Sequence, residues 1–466
     1  MRPIIMKFGG TSVEDEDAFT RVREIVCAHK DALPVVVLSA MSRVTDALLW
    51  SVEIAASGRG GEQALPTLDE HFERHRVVAR RLLSEESATN YCLSIEKARD
   101  EIAELLEKVA LKTEPLALLQ DAVVSYGERL SASLLAGILR AANMKAEYVD
   151  ARRCIITNDE HGCAAPLFEK TSEQTRLELE PLLQGSIIPV LGGFIASSQN
   201  GQTTTLGRGG SDYTAAILGA ALSAREIQIW TDVPGVLTAD PRIVKHAHTI
   251  PRLSYEEAAE LAYFGAKVLH PKTIQPAIEQ NIPVRICNSR AADEGSTLVC
   301  AETETSPHAV KAIAHKTGVT TIQVTSARML GAYGFLRAIF EIFDRHRTVV
   351  DVVTTSEVSV SLSLDNTRGL TPILSELEAL GSVSVERGRA IVCVVGEGLR
   401  ATPGIAARVF SIIGGINISL ISQGASSINL TFAIEEEHVA EAVALLHRGL
   451  FEHQQIDAEA GLGARA

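Results

Sequence analysis

A lysine and two glycines, set between an apolar run and a helix, confine the start of this chain to one kind of fold. Residues 3–8 (PIIMKF) and 34–40 (PVVVLSA) are short apolar runs, and a helical stretch from Asp17 to His29 separates them. Strand, helix, strand is the grammar of a parallel sheet. The alternation returns with SIIPVLGGFIA (186–196), a helix from Asp212 to Leu222, EIQIWT (226–231) and IPVRICN (282–288). Between the two stretches, Gly60 to Lys112 is charged and helical in period, which predicts a helical insertion standing apart from the sheet on solvated faces. One α/β domain over residues 1–300 accounts for all of it.

Residues 301–308 (AETETSPH) are polar and make the linker. Two units of strand–helix–strand–strand–helix–strand pattern follow, the ferredoxin-like plan repeated. The first spans 317–388. The second, from 389 to 455, lacks a convincing last strand, so the spare run Val310 to His315 is expected to fill that slot. The second unit is then 309–316 plus 389–455, with the first inserted in it.

Composition excludes more than it selects. Of 466 residues, 46% are apolar and 22% charged, the balance of a folded soluble protein. A net charge of −14 argues against nucleic acid or an anionic membrane as partner. An anionic substrate must therefore meet a local cluster of cations. The seven cysteines form no C-x-x-C pair, and no apolar run reaches the roughly 20 residues of a bilayer span. Both point to the cytoplasm.

Two glycine-rich turns carry the candidate chemistry. Lys7-Phe8-Gly9-Gly10-Thr11-Ser12 follows a strand, so backbone N–H groups can cradle a phosphate beside Lys7. It is not a Walker loop, because the lysine precedes the glycines. Leu206-Gly207-Arg208-Gly209-Gly210-Ser211-Asp212 opens a helix that Ser211 or Asp212 suits as a cap. Capping leaves Arg208 unexplained, a fixed fork suited to a carboxylate or phosphate. Phosphoryl transfer needs positioning and cations at the moving group, which two such turns supply. His71 and His75, four apart, read as a solvated helix face, and His161 with Cys163 as idle.

KFGGTSV, SYGERLSA (125–132), TTTLGRGGSDYTA, WTDVPGVLTADPR (230–242) and FGAKVLHP (264–271) together resemble the amino-acid kinase family, and as a set its aspartate kinases. VVDVVTTSEVSVSLSLD and QGASSINLTF resemble the paired ACT domains of the lysine-sensitive bacterial members. The resemblance implies a mainly parallel sheet with a helical insertion, two ACT domains, and phosphorylation of the aspartate side chain by ATP with Mg2+. By motif, Lys7 would neutralise the moving γ-phosphate and Asp212 would hold Lys7. Thr45, Glu128, Arg208 and Ser211 would bind aspartate, Arg208 at its α-carboxylate and Glu128 at its ammonium. Gly9, Gly10, Ser39, Thr231, Asp232, Arg242 and Lys267 would join Lys7 around the nucleotide. Leu237 stands where relatives often carry Tyr.

In ACT pairs effectors commonly bind where the first strand turns into the first helix, between subunits. Here that implies Met329, Gly334 and Leu336, facing Asp351, Thr355, Ser356 and Glu357, with Asp351 as anchor for the ammonium of a bound lysine. A homodimer or homotetramer through the ACT domains would follow. Ala332 and Val349 replace hydroxyl residues of lysine-inhibited relatives, which leaves threonine open beside lysine as effector.

Overall fold

The computed structural model describes residues 2–59, 61–265, 269, 271–301, 309–367 and 369–452. The chain forms two compact units, one of residues 1–236, 251–255 and 270–303, the other of residues 237–250, 256–269 and 304–466.

The first unit is built on an eight-stranded sheet. Its order is 146–149, 188–192, 34–38, 4–8, 226–231, 284–288, 297–300, 252–254, with every neighbouring pair parallel except 284–288 against 297–300. Ile4–Phe8, Pro34–Leu38 and Ile188–Gly192 are buried at every residue, as strands covered on both faces must be. Because the strands run one way, Phe8, Leu38, Gly192 and Thr231 end on the same edge, where open parallel sheets bind ligands.

The helical insertion does not stand apart. Helix Glu85–Leu111 turns Ile95, Ala98, Ile102, Leu106 and Val109 into one core with Val36, Leu38 and Val190 of the sheet. The charges hid a stripe at three- and four-residue spacing, the period that places residues on one helix face. Helix Leu116–Ala141 lies within this core and is therefore almost wholly buried from Val123 to Leu139. His75 is a second correction. It continues the stripe of Leu68 and Phe72 into the core, its Nδ1 lies 2.8 Å from the His71 carbonyl oxygen, and burial pulls its pKa down to about 4. A neutral core histidine results.

In the second unit one long strand, Ser382–Val395, runs from the first repeat into the second, beside an equally long Ala312–Thr325. Ala312–Lys316 pairs with Ile391–Val395, and Val319–Thr325 with Ser382–Arg389, across an irregularity at Gly318. The outer strands are 359–364 and 353–355 on one side, 429–435 and 420–423 on the other. Each half of the six-stranded sheet has its own core, Ile322, Ile339, Phe343 and Leu362 in one, Val392, Val409, Phe432 and Val443 in the other.

Candidate active site

The expected phosphate cradle takes a tighter form than a helix N-terminus. After Lys7 the backbone folds into a four-residue 3-10 turn, Gly10–Val13, and the α-helix starts only at Glu16. That helix is capped by Asp15, whose carboxylate accepts the Ala18 N–H at 2.8 Å, and it carries Glu16 and Asp17 in its first turn. Three acids there repel phosphate. The turn itself is pinned by Gly9 N–H to the Trp230 carbonyl at 3.1 Å and by the buried Ser12 hydroxyl, 2.7 Å from that of Ser289.

Lys7 points from its strand to Asp212, with Nζ 2.6 Å from Oδ1 and both side chains largely buried. Neither Ser211 nor Asp212 caps its helix. The cap position is Gly209, at φ +72°, which leaves Asp212 in the first turn free to serve Lys7. Gly207, at φ +75°, makes the other bend of this turn. Between the two, Arg208 is exposed, and among the described residues no acid pairs with it. Ser39 donates to the Ser211 hydroxyl at 3.1 Å.

Glu128 lies on the buried helix, 3% exposed. Its Oε1 accepts the Ala40 N–H at 3.3 Å, and among the described residues Oε2 has no hydrogen-bond partner. Burial dominates and raises its pKa to about 8, so the empty site holds a neutral acid at pH 7. Gly192 is required beside it, since a Cβ there would meet the Glu128 Cβ at 2.8 Å.

Lys7, Ser39, Thr45, Glu128, Arg208, Ser211 and Asp212 line one cavity of about 460 Å³. Phe194 and Asp121 are among the wall residues that sequence reasoning missed. Phe194 follows the strand end at φ +67°, its N–H bonded to the Thr214 hydroxyl at 2.9 Å. A bulky residue in left-handed backbone is held there by its surroundings, and Gly192-Gly193 before it was the available signal. Asp121, two turns before Glu128, gave no signal beyond its spacing. A larger cavity, about 1000 Å³, lies elsewhere on the same helix between Tyr126, Arg129, Tyr148 and the insertion. It contains none of the expected site residues, so size does not mark the chemistry here.

The nucleotide set divides. Thr231, whose hydroxyl donates to Asp232 at 3.2 Å, ends its strand on the ligand-binding edge. Arg242 lies in the second unit, fully exposed, with its guanidinium held by Asp240 at 2.6 to 3.1 Å. Lys267, with Ala266, Val268 and His270, lies outside the described residues.

At the expected effector site Gly334, at φ +81°, heads helix Phe335–Arg345, with Met329 half-buried and Leu336 40% exposed. Thr355, Ser356 and Glu357 are exposed, Ser356 within 2.7 Å of the Ser359 hydroxyl. The Asp351 carboxylate, 2% exposed, already has a cation. Lys316 Nζ lies 3.6 Å from it and 2.7 Å from Asp365, over the ring of Tyr263 at 4.7 Å, and the Tyr263 hydroxyl donates to Asp351.

A parallel sheet with a lysine–aspartate pair and two glycine-rich turns at its carboxyl edge defines an amino-acid kinase. The profile of the amino acid kinase family matches residues 2–288, and that of the ACT domain residues 392–450. The chain is 40% identical over 458 residues to lysine-sensitive aspartokinase 3 of Escherichia coli, covering 96% of this chain and 99% of that one. It is 36% identical to the chloroplastic aspartokinase 1 of Arabidopsis thaliana, covering 96% and 80%. The chain belongs to the aspartokinase family. The crystal structure of E. coli aspartokinase III with aspartate and ADP, described as its R-state, superposes with a TM-score of 0.81, covering 96% of this chain and all of that one. The lysine- and aspartate-bound T-state gives 0.80, over 96% and 99%.

Proposed function

We propose that this protein transfers the γ-phosphoryl group of ATP to the β-carboxylate of L-aspartate, giving 4-phospho-L-aspartate and ADP, the first step toward lysine, threonine and methionine. The observation that carries the reading is the charge of the smaller cavity, where Lys7–Asp212, the free guanidinium of Arg208 and the buried Glu128 face one space. Arg208 takes the α-carboxylate and Glu128 the ammonium, while Thr45 and Ser211 add hydroxyls. The β-carboxylate, with an ordinary pKa of about 3.9, is ionised at neutral pH and needs no base. One of its oxygens attacks the γ-phosphorus as the bond to the ADP oxygen breaks. Lys7 offsets charge on the phosphoryl oxygens during the transfer.

Thr231, Asp232, Arg242 and Lys267, with Gly9, Gly10 and Ser39, are assigned to the nucleotide by motif. Mg2+, bound with ATP, would supply positive charge to offset that of the phosphates. The hydroxyls of Ser39 and Ser211 and the carboxylate of Asp212 suit such an ion at that edge. Incubating the protein with ATP, Mg2+, aspartate and hydroxylamine is expected to accumulate aspartyl hydroxamate. Hydroxamate with another amino acid and none with aspartate would refute the assignment.

We assign residues 1–300 to catalysis, 301–308 to a linker, and 317–388 and 309–316 plus 389–455 to two ACT domains in a cytoplasmic enzyme. Among the described residues no helix is long and apolar enough to cross a membrane. Leu330, Tyr333, Leu336, Phe340 and Val349 are large apolar residues left exposed around the Gly334 turn, which supports assembly into dimers or tetramers there. An amino-acid effector, lysine first, is assigned to the same place. Its ammonium must compete with Lys316 for Asp351. Lys316→Gln is expected to lower the lysine concentration for half-inhibition by about tenfold, a coupling of the usual allosteric size. Titrating lysine and threonine into the hydroxamate assay checks this; an unchanged or higher half-inhibition by both would sink the competition.

A further inference from the structure

Asp121 is 1% exposed, lines the substrate cavity, and is the most heavily bonded acid in it. Its Oδ1 accepts the Thr205 hydroxyl at 2.6 Å. Its Oδ2 faces three nitrogens, the Gly162 N–H at 2.9 Å, the Thr205 N–H at 3.2 Å and His161 Nδ1 at 3.2 Å. These donors come from two chain segments far apart in sequence, the turn at 158–163 and the end of strand Thr203–Thr205. His161, idle in the sequence reading, is one of them.

With its lone pairs occupied, Asp121 has little left for a ligand. What it does hold is the root of the Arg208 turn. Thr205 is three residues from Arg208, both glycines flanking that arginine are in left-handed backbone, and among the described residues no acid steadies the guanidinium. The 158–163 turn braces the same place, because a Cβ on Gly207 would lie 3.1 Å from Cys163 Sγ. Asp121 and Glu128 are seven residues apart on one buried helix, hence on one face and about 10 Å apart along its axis. The carboxylate end of the substrate site is thereby tied to the helix that supplies its ammonium end.

We propose that Asp121 is a positioning residue that fixes the separation of Arg208 from Glu128, and so the fit of the aspartate backbone. The inference rests on the reading of Arg208 and Glu128 as substrate contacts. Asp121→Asn keeps the volume and the acceptor for the Thr205 hydroxyl but turns an amide N–H2 toward the Gly162 N–H. Small misplacements of a positioned group are costly in rate and binding. Asp121→Asn is expected to raise KM for aspartate about tenfold, with KM for ATP within twofold and kcat within threefold of wild type. Thr205→Val, which deletes one bond and is far less disruptive, is expected to raise KM for aspartate about threefold. The double variant should raise KM for aspartate by less than the roughly thirtyfold product of the two single effects, since both act on one bonded cluster.

Steady-state kinetics on the full-length protein decides. An unchanged KM for aspartate in Thr205→Val, or a parallel rise of both KM values in either variant, overturns the proposal. Arg208→Ala separates the two levels. If it leaves KM for aspartate unmoved, the substrate site itself is misread; if it raises that KM while Asp121→Asn and Thr205→Val do not, only the positioning role fails.

Discussion

Methionine at position 7 is expected to lower kcat about a thousandfold while KM for aspartate moves only a few-fold. Phosphoryl transfer asks the protein for charge at the moving oxygens, and removing one preorganised donor of this kind costs about a hundred- to a thousandfold in rate. Lys7 is held for that task, on a fully buried strand and paired at 2.6 Å with Asp212. Losing it also strands the Asp212 carboxylate in a largely buried place, which costs up to about 3 kcal/mol of stability. The two losses separate experimentally. Lys7→Met with Asp212→Asn should recover much of the thermal stability and none of the turnover. Single-turnover assays and thermal unfolding of the three variants test this, and near-wild-type turnover in Lys7→Met would remove Lys7 from the chemistry.

Glutamine at position 128 should raise KM for aspartate by about a hundredfold and yet make the empty protein more stable in alkali. The first effect follows from losing a buried charge partner for the substrate ammonium, worth about 2 to 3 kcal/mol. The second follows from linkage. Burial raises the Glu128 pKa from an ordinary 4.5 to about 8 in the folded chain. A carboxyl raised in this way favours folding fully below pH 4.5, and that contribution is lost as pH climbs through about 8. Above pH 8 the folded state carries a buried charge that the unfolded state hydrates, an order-of-magnitude cost of about 5 kcal/mol. Glutamine has no such proton to lose. The wild-type enzyme should also release a proton from Glu128 on binding aspartate at pH 7. Its aspartate affinity should rise with pH up to about 8, then level off. Calorimetry in buffers of different ionisation enthalpy measures the proton directly; zero release with wild type, or a KM–pH slope retained in Glu128→Gln, contradicts the assignment.

A site whose central acid opposes the folded state is stability given up for binding. The same tension shows at Phe194, held at positive φ where the cavity wall turns. Neither was visible along the chain. SYGER offers a glutamate like any surface glutamate, and only the core around Val123 to Leu139 makes it a buried one.

By itself the sequence determined the alternation that makes a parallel sheet, the two glycine-rich turns at its edge, and the repeated unit at the end of the chain. All three are short-range patterns, carried by hydrophobic period and by glycine and are therefore legible locally. Tertiary structure decided what those patterns could not encode. It buried a charged helical insertion against the sheet, since a stripe of Ile95, Ile102 and Leu106 outweighs the glutamates between them. It made a core residue of His75 and a hydrogen-bond partner of Asp121 out of His161. It ran strands on through Gly318 and Gly388, joining two repeats into one sheet. It put Lys316 beside Asp351, and Asp121 beside Thr205 across 84 residues. Burial, pKa and partner choice depend on groups distant in the chain, and those exist only once the chain has folded.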